Sequence, residues 1–434
     1  MNHQDAVSAS ESGTGRRHQP GARLWDAVVL GAGASGLFCA MTAAARGKTV
    51  LLIDHAAKAG RKLSITGGGK CNVTNRRVSP GDYHGDNPDF CRSALARFTP
   101  EHLIALLRNG GIELEEREHG QLFCRRSAKD VVRLFVEQCR ELGCRFAMEE
   151  RVRSLTTDTD GCFTVTTDGA SHRARKAVVA LGGPAWPQTG ATGTGHEIAR
   201  SFGHTIVPIR PALAGLVMPG DWPLAGLAGI ALPASIRIVP DAADSRPSRR
   251  QGAAKKKDEP AARALSLLFT HHGISGPAAL QASLYWRPGM RLELDLLPFL
   301  PEGEGVSPLL EAKGAGKSLC RNLCKKVLPD RLCDALLPAE LGAKRCAELR
   351  RAEREALAAL FRNHVARPLR TEGFARAEVT AGGVSTQELS SKSMESRIIA
   401  GLYFCGEVLD VTGRLGGYNL HWAFASGKAA GEAL

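Results

Sequence analysis

Aromatic residues make up only 5% of the 434-residue chain, too few for the ring-lined surfaces that grip carbohydrate or a membrane interface. No apolar run approaches the roughly 18 residues a membrane helix needs. The opening stretch MNHQDAVSASESGTGRRHQPGAR lacks the apolar core of an export signal, so residues 1–24 are expected to form a disordered tail and the protein to be cytoplasmic. The twelve cysteines are scattered, and a reduced compartment argues against a disulfide framework. Cys320, Cys324, Cys333 and Cys346 lack the paired short loops of a zinc site, and the first two fall at helical i,i+4 spacing. They read as core thiols, with no metal. Hydrophobic content of 43% and charged content of 23% are ordinary for a globular protein, and the length implies two or three domains. The net charge of +13 draws polyanions such as nucleic acid or anionic lipid, unless it reflects a generally basic composition.

What is present begins with Trp25–Leu30, an apolar strand-like run that enters GAGASG. Gly31 suits the tight turn, Gly33 the close approach of backbone to a pyrophosphate, and Gly36 the packing of helix on strand. Ala34 and Ser35 open the small-residue helix that follows, whose free N–H groups face the phosphates. A second strand, Thr49–Ile53, ends at Asp54, placed to accept hydrogen bonds from an adenosine ribose. This unit is a dinucleotide site and does not by itself separate FAD from NAD.

Glycine-rich stretches recur. GRKLSITGGGKCNVTN over 60–75 holds Lys62 and Lys70 as phosphate neutralisers, with Gly68, Gly69, Cys71 and Asn72 at the cofactor edge; a plain surface loop is the alternative. Val152, heading a strand near 152–155, joins the cofactor-binding set. Lys176–Leu181 ends in Gly182 and Gly183, where a sheet again meets a ligand edge. At the far end LYFC leads into Gly406 and Glu407, then DVTGRLGGYN and a helix. Such a late strand is expected to return beside the first. Glu407 or Asp410 then reaches a ribityl chain, and Gly416, Gly417, Tyr418 and Asn419 present a helix N-terminus to a flavin pyrimidine. The pairing of the two ends favours FAD.

GAGASG, GRKLSITGGGKCN, FTHHGISGPAALQAS, AEVTAGGV and GLYFCGEVLDVTGRLGGYNLHWAFASG together resemble the BaiN/YhiN-type bacterial flavoproteins, with ELSSKSMESR and VLDVTGRLGGYN nearest the YhiN branch. Asp54 stands where such flavoproteins often carry Glu. The resemblance implies an α/β fold: a discontinuous Rossmann-like FAD-binding domain over 25–205 and 378–434, an inserted β-rich domain over 206–275 and 363–377, and a small helical domain over 276–362. Residues 245–260 read as a disordered basic insertion.

The resemblance also implies hydride transfer from NADH or NADPH through FAD to an acceptor. In the YhiN branch that acceptor is a uridine of ribosomal RNA, reduced at its C5=C6 bond to dihydrouridine. Lys313, Lys317, Arg321, Lys325, Lys326 and Arg331, with Arg246, Arg249, Arg250 and Lys255–Lys257, would track an RNA backbone, though such runs also occur on solvated helix faces. Reduction of a conjugated enone, oxidation of an amine, or a flavin-containing binding module without turnover are the alternatives. Uridine reduction requires a proton at C5 as well as hydride at C6, and Cys71, His271 and Tyr418, with neighbouring His272 and His421, are candidate donors. No second strand–GxGxxG–helix unit appears, so the nicotinamide is expected to visit transiently.

Overall fold

The computed structural model describes residues 23–240 and 264–434. The tail through residue 22 and the basic insertion 245–260, with Arg246, Arg249, Arg250 and Lys255–Lys257, lie outside the described residues.

Leu24–Leu30 is apolar at almost every position because it is an inner strand of a parallel sheet. Val50–Asp54 pairs with it on one side and Ser171–Val179 on the other, both parallel, and Arg145–Met148 extends the sheet beyond Val50–Asp54. Ser171–Val179 divides its outer edge between two partners. Its first half forms a hairpin with Phe163–Thr167, and its last three residues pair in parallel with Leu402–Phe404. The late strand therefore stands one strand away from the first and not beside it, because Ser171–Val179 pairs along almost the whole of Leu24–Leu30.

Ala34–Ala44 and Tyr418–Ala433 pack side by side in the same direction. Gly427 makes this possible: a Cβ there would stand 2.5 Å from the Ser35 carbonyl oxygen, and one at Gly431 2.5 Å from that of Cys39. Both helix N-termini consequently open toward the same side of the sheet.

The chain leaves this unit through Ile206–Ala212 and returns through Val379–Val384, and these two strands pair antiparallel. Between them lies a seven-stranded antiparallel sheet. One of its strands is Arg291–Asp295, paired with Ala231–Val239 and His364–Ala366. That stretch was expected within the helical domain. Its alternation, with Leu292 and Leu294 buried between less buried Arg291, Glu293 and Asp295, is a strand signal too short to stand out beside helical neighbours. The helices from Ser307–Leu310 to Arg351–Phe361 do not form a core of their own. Leu323, Leu332, Leu357 and Phe361 share one apolar cluster with Leu292 and Leu294 of the sheet, and Cys320, Cys324, Cys333 and Cys346 are buried in it. Arg362 fastens the two, pairing with Asp295 at 2.9 Å and donating to the carbonyls of Leu300, Pro301 and Gly305. Among the described residues no helix is long and apolar enough to cross a membrane, and no cluster of three His, Cys, Asp or Glu side chains stands ready to hold a metal.

Candidate functional site

A cavity of about 690 Å³ runs along the open ends of the parallel strands and under the inserted sheet, the place where ligands sit in such folds. Gly31, Gly33, Ala34, Ser35 and Asp54 line one end, Gly182 and Gly183 the middle, and Asn72, Gly416, Gly417 and Asn419 the other end. Gly33, Gly68 and Gly182 all line it, and nothing lies within 4 Å of where a Cβ would stand on any of them. The backbone is thus bared toward the cavity. Gly31 and Gly36 serve the protein instead: a Cβ on Gly36 would lie 1.8 Å from the Gly31 carbonyl oxygen, and one on Gly31 2.5 Å from that of Ala180.

Asp54 has a task beyond its expected one. Its carboxylate oxygens accept the N–H groups of Ala32 and Ala56, each at 2.8 Å, so it holds the glycine turn in shape while facing the cavity. Lys62 and Glu407 were expected to contact the cofactor separately; both line the cavity, but they pair with each other at 2.8 Å. The second Glu407 oxygen accepts the Thr380 N–H at 2.8 Å. At the far end, Asn72 accepts the Gly417 N–H at 3.1 Å with its amide turned to satisfy both ends. Gly417 is required there, because its φ is 96° and a Cβ would meet the Thr74 carbonyl oxygen at 2.4 Å. Asn419 closes the turn by bonding the Gly413 N–H and carbonyl. The GGGKCN loop and the GGYN turn, more than 300 residues apart in sequence, thus form one wall.

A family model described as the HI0933-like protein Rossmann domain matches residues 25–433. The chain belongs to the HI0933-like family. A ribosomal RNA dihydrouridine synthase of Escherichia coli is 39% identical over 94% of this chain and 98% of its own length. A protein of the same name from Haemophilus influenzae is 37% identical over 93% and 96%. A 3-dehydro-bile acid delta(4,6)-reductase of Clostridium scindens is 32% identical over 93% and 98%.

In this family member several candidate residues stand back from the cavity. Cys71 is fully buried, with its thiol against that of Cys124, and does not line the cavity. Tyr418 is buried with its ring against Tyr83. His271 and His272 are exposed at the turn between Leu265–Thr270 and Gly273–Ser275. His421 is locked between Thr74 and the Phe98 carbonyl, with burial driving its pKa down to about 4, so it is neutral and structural. Gly69, Gly406 and Val152 do not line the cavity, and Val152 packs in the apolar core. Lys70 turns away to donate to the Arg125 carbonyl. Asp410 also lies outside the lining and braces a loop by accepting the Asp86 N–H at 2.7 Å.

Other groups line the cavity without having been singled out. Glu378 opens onto it and remains exposed there; the protein crowding its other sides pushes its carboxyl above the usual range while Lys62 pulls the other way. His55 carries a buried Nε2 with no partner in the protein, and Arg414 a buried Nε in the same condition. Leu213, Pro277, Leu280 and Leu415 give one end an apolar wall. Glu378 lies in AEVTAGGV and Pro277 in HHGISGPAAL. Both motifs stand out for their glycines and histidines, and nothing local marks a lone acid or proline within them.

Proposed function

We propose that the chain is an FAD-dependent reductase that draws on NADH or NADPH and reduces a uridine of ribosomal RNA to dihydrouridine. The full-length similarity to two proteins named ribosomal RNA dihydrouridine synthase carries the reading of the substrate. The bared glycines and the orphaned His55 nitrogen support an extended dinucleotide in the cavity. Asp54 would hold its ribose, the N-terminus of Ala34–Ala44 its pyrophosphate, and the Gly417–Asn419 turn the flavin pyrimidine.

FAD bound there would supply hydride to C6 of the base. The protein's part is to seat the base, keep water out and deliver one proton to C5. Leu213, Pro277, Leu280 and Leu415 offer an apolar enclosure for a base extruded from its strand. Glu378 is a carboxyl accessible from the cavity and shifted toward its protonated form by the protein around it, which makes it the candidate proton donor in place of Cys71. On the outer face Lys313, Lys317, Arg321 and Lys326 are exposed and have no carboxylate partner among the described residues, as phosphate-contacting side chains would. The deciding experiment is mass-spectrometric mapping of ribosomal RNA from strains with and without the gene. Loss of one dihydrouridine on deletion supports the reading, and an unchanged map rejects it. The apolar wall and the bile acid reductase similarity favour a second reading, reduction of a small conjugated enone, which turnover of free enones without RNA would establish.

A further inference from the structure

Beside the apolar end of the cavity, three arginines gather where the inserted sheet meets the parallel-sheet unit. Arg210, on Ile206–Ala212, donates to the Leu284 carbonyl at 2.8 Å. Arg287 donates to the same carbonyl at 3.3 Å and to that of Trp286 at 2.9 Å. Two guanidinium groups sharing one neutral acceptor lie close together with no carboxylate between them. Among the described residues Arg414, which lines the cavity, pairs with one carboxylate, Asp82, at 3.5 Å, while its Nε has no acceptor. His84 and Tyr285 stand among the three, joined by a 2.9 Å hydrogen bond. The Gln281 amide and Arg414 both face the Tyr285 hydroxyl, yet among the described residues the buried Gln281 amide nitrogen makes no well-formed hydrogen bond.

The electrostatics agree with the geometry. Burial, then Arg414, Arg210 and Arg287 in turn, hold His84 down at about 4, so the ring is neutral and adds no charge. Burial and the neighbouring Arg287 lower Arg210 to about 10. Asp410, raised to about 6 chiefly by burial, is still mostly ionised at neutral pH and offsets part of the charge on Arg210, but Asp410 and Asp82 together leave three guanidinium groups with positive charge in excess. Donors outnumber acceptors in this cluster, and like charges face one another. Buried donors without partners call for an acceptor, and guanidinium forks match phosphate oxygens in shape and charge.

We infer that Arg210, Arg287 and Arg414 form a phosphate site at the mouth of the cavity, and that the group it takes is an RNA phosphodiester flanking the base to be reduced. Arg287 is exposed and Arg414 reaches the cavity, so the cluster links solvent to the place where the base would sit. The choice of RNA as the source rests on the proposed function; the phosphate chemistry does not. A nicotinamide dinucleotide carries phosphates as well, and the test must separate the two.

The test uses flavin-loaded protein and three probes: a short single-stranded oligoribonucleotide containing uridine, NADPH, and inorganic phosphate as a competitor. Binding is followed over a range of salt for wild type, Arg287→Gln and Arg210→Lys, with flavin content as the check on folding. Arg287→Gln is expected to weaken oligonucleotide binding roughly tenfold and to flatten the slope of log Kd against log salt by about 0.7. Its Michaelis constant for NADPH should not move, and phosphate should compete with the oligonucleotide on wild type more strongly than on the variant. A loss confined to NADPH would reject RNA as the source. Unchanged binding of all three probes in both variants would overturn the site itself. If wild type binds no oligonucleotide yet phosphate still perturbs the flavin spectrum in an Arg287-dependent way, the site stands and the RNA reading falls.

Discussion

Lys62 Nζ stands 2.8 Å from Glu407 Oε2, tying the glycine loop of the first half of the chain to the strand end of the second. Both side chains are partly exposed, at 31% and 24%, so solvent screening limits the pair's contribution to folding to about 1 kcal/mol or less. Its larger effect should fall on the ligand, because it fixes both walls of the cavity at once. Lys62→Met is therefore expected to unfold at nearly the wild-type denaturant concentration yet lose FAD on dialysis, with affinity down on the order of tenfold. Equal flavin retention in the two proteins would show that the pair does not position the site.

Gly33 and Gly427 should respond oppositely to a side chain. Gly427→Val drives a branched group into the Ser35 carbonyl, whose oxygen would lie 2.5 Å from the new Cβ, and should cost about 3 kcal/mol or more in urea unfolding. Gly33→Ala meets no protein atom within 4 Å. The apoprotein should keep its stability to within about 0.5 kcal/mol while flavin binding drops, since the methyl group occupies space left for a phosphate. Full flavin content in Gly33→Ala would contradict this use of the glycine.

Asp410 sets a pH dependence. Burial lifts its pKa from 3.8 to about 6, so the native state binds this proton more tightly than the unfolded chain does. Its contribution to stability is fully present below about pH 4 and is lost as the pH rises through 6, an effect of up to about 3 kcal/mol. Asp410→Asn should remove that part of the decline. Urea midpoints on both sides of the window measure it, and parallel pH curves for wild type and variant would count against the assignment.

Glu378→Gln tests the proton source. With its carboxyl raised by desolvation, wild-type turnover should fall as the pH climbs through the Glu378 pKa. The glutamine variant should lack that limb and run at least about 100-fold slower, with flavin reduction by NADPH intact. Cys71→Ala should change turnover by no more than about twofold, because its thiol lies behind the cavity wall against Cys124. The reverse pattern would return the role to Cys71.

The first βαβ unit was readable almost residue by residue, since each of its glycines answers to a local constraint. Gly36 must touch Gly31 and Gly33 must touch nothing. The far-end turn was legible for the same reason. Contacts between distant segments were not. That Lys62 would choose Glu407, or that Asp54 would brace Ala32, depends on how two halves of a sheet close, which leaves no periodicity in the chain. Arg291–Asp295 was missed because five residues are too few to assert a period between helical stretches. Glu378 carries no local mark because it stays exposed in the fold, and only the closing of the two halves makes its exposed face open on the cavity.

The paired strands Ile206–Ala212 and Val379–Val384 have a mechanical consequence. They are the two covalent crossings between the parallel-sheet unit and the body formed by the inserted sheet and its helices. Since the crossings are hydrogen-bonded to each other, that body is anchored covalently along one line and not at two separate points. Leu213, at the end of the first strand, and Glu378, at the start of the second, sit on that line and line the cavity. The Glu378 N–H also bonds the Leu213 carbonyl at 3.1 Å, so a shift of the inserted body would reach both of these cavity residues together.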